Sequence, residues 1–170
     1  NNSGSITVGD TDEDVIFVDA NSRLIFTNQT TGRIRTPGFS VGDFIFVDEN
    51  ALNNSVIINH GLLDISSVFD VFHLNTNLTM DNYGTIKVNF IGNDGFTIDT
   101  GVRVTNHPTG IISIRDTGGK PIDLDGSATF LNDGSITISQ INGGILFSME
   151  AIDVDSKDAE FTNNGTITIT

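Results

Sequence analysis

The sequence has no cysteine and no tryptophan, a single tyrosine and only three prolines. Without cysteine there are no disulfide staples and no thiolate metal sites, so stability has to come from burial and hydrogen bonding. Basic residues are also scarce, 8 Lys and Arg against 22 Asp and Glu, for a formal net charge of −14. Such a field repels phosphate backbones and anionic lipid, which argues against nucleic-acid binding. No apolar run approaches the roughly 18 residues that a spanning helix needs, which argues against membrane insertion.

What is present is a mixture of strand formers and turn formers. Ile, Val, Leu and 12 Phe supply most of the apolar content, while 18 Gly stand beside abundant Asn, Asp and Thr. This composition describes an all-β chain of many short strands.

A repeat decides the architecture. The pattern Gly-x-apolar-x-apolar begins at Gly4, Gly32, Gly61, Gly84, Gly110, Gly134 and Gly165, with spacings of 28, 29, 23, 26, 24 and 31 residues. (At Gly32 the last position is Thr36.) A second alternating segment follows in each interval: Ile16–Val18, Ile45–Val47, Phe72–Leu74, Phe96–Ile98, Ile122–Leu124 and Ile152–Val154. A third closes the interval and ends in asparagine, at Asn28, Asn59, Asn82, Asn106, Asn132 and Asn163. Three short period-2 strands per unit describe one coil of a parallel β-helix. The variable spacing favours the right-handed, single-stranded form, whose turns accept insertions. The expectation is one solenoid over residues 1–170, about six coils of three strands, cut from a longer solenoid because both ends fall at the same phase of the repeat.

The period of two sends alternate side chains inward, so Ile34, Leu63, Ile86, Ile112 and Ile136 are expected in one column, Phe72 and Phe96 stacked in the second strand, and Phe26, Phe130 and Phe161 stacked in the third. The recurring asparagines are expected to form a ladder, each bonding its own turn and the next amide. The glycines after them are read as supplying positive φ to that turn.

The chemistry-bearing residues are scattered. Asp123 and Asp153 stand at outward positions of neighbouring coils, Asp64 on another strand, Arg33 and Arg35 together, and Lys87 alone. A lyase or hydrolase needs base and carboxylates facing one groove, and no coil gathers them with long loops, so no catalytic residue is assigned. Polysaccharide lyase or hydrolase activity is kept as an alternative. His60 and His107 directly follow ladder asparagines and read as solvated turn residues.

Two acidic columns mark the surface. Asp19, Asp48, Asp99, Asp125 and Asp155 occupy one phase, and these are the candidate ligands for a divalent ion such as calcium. No other cofactor is expected. Asp14, Asp43, Asp70 and Asp94 form the second column, continued by Lys120 and Glu150. Phe17 and Phe46 point outward on adjacent coils and His73 continues their row. Exposed aromatics in a row suit a sugar ring or a partner protein.

Asn163-Asn164-Gly165-Thr166-Ile167-Thr168-Ile169 and its relatives of the form Asn-x-Gly-x-Ile resemble the repeats in passenger domains of bacterial autotransporters and haemagglutinin-type exoproteins. The resemblance implies a secreted or surface-displayed β-helix acting in adhesion or cell–cell contact, its partner a protein or glycan on a host or neighbouring cell. Self-association through the open helix ends, giving a filament, is the other reading.

Overall fold

Ladder hydrogen bonds between successive repeats, rather than within them, organise the chain. The computed structural model describes residues 1–141 and 150–170. The first coil comprises β1 (Ser5–Thr7), β2 (Ile16–Val18) and β3 (Ile25–Asn28). The second comprises β4 (Arg33–Thr36), β5 (Ile45–Val47) and β6 (Ser55–Asn59), and the third β7 (Leu62–Ser66), β8 (Phe72–Leu74) and β9 (Leu78–Asn82). The fourth is β10 (Thr85–Ile91), β11 (Phe96–Ile98) and β12 (Arg103–Asn106), and the fifth β13 (Ile111–Thr117), β14 (Ile122–Leu124) and β15 (Thr129–Asn132). The sixth is β16 (Ser135–Ile141), β17 (Ile152–Val154) and β18 (Glu160–Asn163), after which β19 (Thr166–Ile169) opens a further turn.

Every third strand pairs, in parallel and in register. The result is one sheet of seven strands, from β1 to β19, and two of six, all wound about a shared core. The expected all-β parallel β-helix of three strands per coil is therefore the fold. Because the register is exact, like stacks on like: Ile6, Ile34, Leu63, Ile86, Ile112, Ile136 and Ile167 follow one another in the first sheet. Phe26, expected to stack with the other third-strand rings, meets Ile57 in the next coil instead, whereas Phe72 and Phe96 stand 4.9 Å apart between ring centroids and Phe130 stacks on Phe161 at 5.3 Å. Each such pair contributes about 0.5–1.5 kcal/mol beyond its buried area. Phe44, in a turn, closes the core edge-on against Phe72 at 5.9 Å.

The asparagine ladder runs the length of the stack. Each Asn Nδ2 donates to the Oδ1 of the Asn one coil on, from Asn28 through Asn59, Asn82, Asn106 and Asn132 to Asn163, at 2.6–2.8 Å. Asn2 adds a rung at the start, donating to Asn28 Oδ1 at 2.9 Å. The middle members are wholly buried. Their amides satisfy one another where a tight turn excludes water.

The glycines behind the ladder have a different cause from the expected one. Gly101 and Gly126 have positive φ, but Gly32, Gly61, Gly84, Gly110, Gly134 and Gly165 do not. At Gly61 a Cβ would collide with the carbonyl oxygens of Gly32 and Gln29. Glycine is needed there because backbones of adjacent coils pass too close for any side chain.

Candidate functional site

The column Asp14, Asp43, Asp70, Asp94 is a second ladder rather than a surface feature. Each carboxylate Oδ1 accepts the backbone N–H of the equivalent residue one coil later. Asp43 donates to Asp14 at 2.6 Å, Asp70 to Asp43 at 3.0 Å and Asp94 to Asp70 at 2.7 Å, and the Lys120 amide donates to Asp94. These amides lie in the turn before the second sheet and would otherwise be orphaned. Asp43 and Asp70 are only 5 % and 3 % exposed. Burial raises the carboxyls of Asp14, Asp70 and Asp94, with Asp70 pushed up to about 6.

Two basic side chains meet these carboxylates. His73 Nδ1 lies 3.2 Å from Asp43 Oδ2 and 3.7 Å from Asp70 Oδ2. Its pKa is raised, chiefly by the hydrogen bond to Asp43, against the opposing effect of burial. In the fifth coil the column changes from Asp to Lys120, whose Nζ meets Asp153 at 2.6 Å and Asp123 and Asp155 at 3.1 Å. Burial alone would lower the ammonium, but hydrogen bonds to Asp153, Asp155 and Asp123 outweigh it and hold the group well above its usual range. Lys120 is thus kept charged and is not a base at neutral pH. Asp123, expected at the surface, is buried, and burial raises its carboxyl. The Lys120 hydrogen bond lowers that of Asp153.

Two groups among the described residues bring three ligand-type side chains within 4.8 Å of one another: Asp43, Asp70 and His73, and Asp123, Asp153 and Asp155. In the second, Lys120 Nζ already takes the place of a cation. The first offers two carboxylate oxygens and a ring nitrogen, a donor set that could hold a divalent ion. Of the five carboxylates expected as ligands, only Asp155 enters such a group. Asp19 accepts the Ala20 N–H at 2.7 Å, Asp48 the Asn50 N–H at 2.7 Å and Asp99 the Thr100 N–H at 2.5 Å. These three serve their own turns. Asp125 faces Asp155 and Asp99, and its carboxyl is raised by burial first and by those charges second.

The outward row of the second sheet is continuous. Phe17 stacks on Phe46 at 5.5 Å and 15°, and Phe46 meets the His73 ring edge-on at 4.9 Å. Phe17 is 56 % exposed, and no loop covers it among the described residues. In register the row reads Phe17, Phe46, His73, Thr97, Asp123, Asp153, aromatic at one end and acidic at the other.

A further aromatic stack, not expected from the sequence, stands on the turns after the ladder. Tyr83 lies between His60, at 4.8 Å, and His107, at 3.9 Å, and His107 Nε2 sits 2.8 Å from Asp81 Oδ1. All three rings directly follow ladder asparagines, so the shared phase was the available signal. Elsewhere on the surface, Arg35 Nε pairs with Asp64 Oδ2 at 3.6 Å.

Compared with protein-family models, curated proteins and solved structures, the chain matches none.

Proposed function

We propose that this chain is a structural and adhesive rod, displayed outside a bacterial cell, that contacts a glycan or protein on a host or neighbouring cell through the outward face of its second sheet. The observation that carries the reading is the outward Phe17–Phe46–His73 row, with the exposed Asp19 two residues beyond Phe17. Aromatic faces stack on sugar rings, and carboxylates accept their hydroxyl protons. The polar side chains of the interior are spent on holding coils together, which suits a scaffold more than a catalyst. Lys120, the residue nearest to a base beside carboxylates, is pinned as an ammonium.

The test is adhesion of beads coated with the chain to bacterial and host cells, with competition by free sugars. Phe17→Ser with Phe46→Ser should abolish adhesion while leaving the circular dichroism spectrum unchanged. Equal adhesion by the double variant overturns the reading. A second reading, assembly into filaments, draws on Ile6 and Ile25 in the first coil and Val154 and Ile169 in the last strands, all exposed and apolar. Light scattering that shows growth with concentration would favour it.

A further inference from the structure

The turns joining the first sheet to the second leave an apolar groove of about 440 Å³ on coils two to five. Its rim is aromatic. Phe39 and Phe90 are each 65 % exposed, Phe69 is 50 % exposed, and Val41 stands beside Phe39. A second observation concerns the backbone. Phe90 has φ 55°, in the left-handed region, and its counterparts in the adjoining coils, Ser67 and Asp116, share it at 58° and 55°. Small or polar residues tolerate that conformation, whereas a bulky ring does so at a cost. The chain thus strains its backbone and exposes a phenylalanine at the same point. In the wall lies Thr117 Oγ1, the one buried side-chain polar atom without a partner among the described residues.

One end of the groove is anionic. The first-coil turn hydrogen-bonds directly to the rim: Phe39 donates its N–H to Asp10 Oδ1 at 2.9 Å, and Val41 donates to Thr11 O at 3.4 Å. Asp10, Asp12 and Glu13 are exposed on this turn. An occupant that complements both parts is apolar along its middle and cationic at that end.

Periodicity selects its form. Coils repeat every ~4.8 Å, close to the ~5.4 Å pitch of an α-helix. A helix laid along the solenoid axis therefore sets one apolar residue per turn against each coil. An extended segment, with same-side residues about 6.6 Å apart, falls out of step with the coils.

We propose that this groove docks a cationic amphipathic α-helix of about three turns from another protein, its apolar stripe against Phe39, Phe69 and Phe90 and its Lys or Arg residues over Asp10, Asp12 and Glu13. The inference is independent of the adhesive role proposed for the second sheet, because Phe17, Phe46 and His73 are not among the residues that line the groove.

The test uses three synthetic peptides of about fourteen residues: Leu and Lys at helical spacing, the same composition in strict alternation, and oligolysine. Each is titrated into the ¹⁵N-labelled chain at physiological ionic strength. The helical-period peptide should shift amides of residues 39–41, 67–69 and 90–92 and gain helical circular dichroism. It should bind at least about tenfold more tightly than the other two, as expected where apolar anchors dominate. Phe90→Asn should weaken it about tenfold, and because Asn accepts positive φ this variant should fold at least as well as the parent. Equal affinity of the three peptides, shifts elsewhere on the chain, unchanged binding by Phe90→Asn, or no binding would each overturn the proposal.

Discussion

Asn82 is the most informative single position in the ladder. Its Oδ1 accepts from Asn59 Nδ2 at 2.8 Å, its Nδ2 donates to Asn106 Oδ1 at 2.8 Å, and the residue is fully buried. Asn82→Ala removes both rungs and leaves the Asn106 oxygen without a ladder donor. With about 1–3 kcal/mol for each buried polar group left unmatched, the loss should be on the order of 2–5 kcal/mol. Asn82→Asp sharpens the test. The carboxylate still accepts from Asn59 but puts a second anionic oxygen against Asn106 Oδ1. At neutral pH the variant should be worse than alanine. As pH falls it should recover, because the protonated acid can donate. Asn163, exposed at the end of the ladder and holding one rung to Asn132 at 2.6 Å, gives the control: its alanine variant should cost about 1 kcal/mol or less. Urea denaturation followed by fluorescence at several pH values reads all three. A cost below about 0.5 kcal/mol for Asn82→Ala, or no pH dependence for Asn82→Asp, would refute the ladder energetics.

The Asp column makes a pH prediction. The Asp70 carboxyl is at about 6 in the folded chain against an ordinary 3.8, so the folded state holds the proton more tightly, and stability is lost as pH rises through that window. His73 acts in the same direction, its stabilisation complete below its ordinary 6.5 and lost as pH passes its raised folded value. Thermal melts from pH 4 to 8 should show Asp70→Asn with a flatter profile and a gain on the order of 2–3 kcal/mol near neutrality, and parallel profiles would contradict this. Lys120→Met should cost about 2–4 kcal/mol at pH 7, because Asp123, Asp153 and Asp155 are left facing one another, and the deficit should shrink near pH 3. Gly61→Ala, colliding with backbone that cannot step aside, should cost about 2 kcal/mol or more in the same denaturation assay.

Strand phase was legible because a period of two has only one consistent register when one face must be buried. That is why Ile34, Leu63 and Ile86 fall in one column, Asn59 bonds Asn82, and Phe17 meets Phe46 as read. The turns were less legible, since no period says which way a turn side chain faces. Asp43 and Asp70 read from the sequence as outward acids, but their oxygens turn in to cap amides of the next coil. Lys120 and its three carboxylates come together across two coils and a turn, a juxtaposition that depends on loop path as well as spacing. The glycines after the ladder asparagines are expected from the sequence to supply positive φ, but they do not, and the reason for them is the closeness of successive coils, visible only once these are stacked. The apolar groove likewise arises from how residues 39–41, 67–69 and 90–92 lie side by side.

Native-state hydrogen exchange shows directly whether each coil is held by its neighbours through both strand and turn ladders. Exchange should be slowest in the middle coils and faster toward β1 and β19, with marked protection of the turn amides of Asp43, Asp70 and Asp94, which donate to buried or half-buried carboxylates. Exchange of those three amides at the rate of free turns, or protection no greater in the middle coils than at the ends, would contradict it.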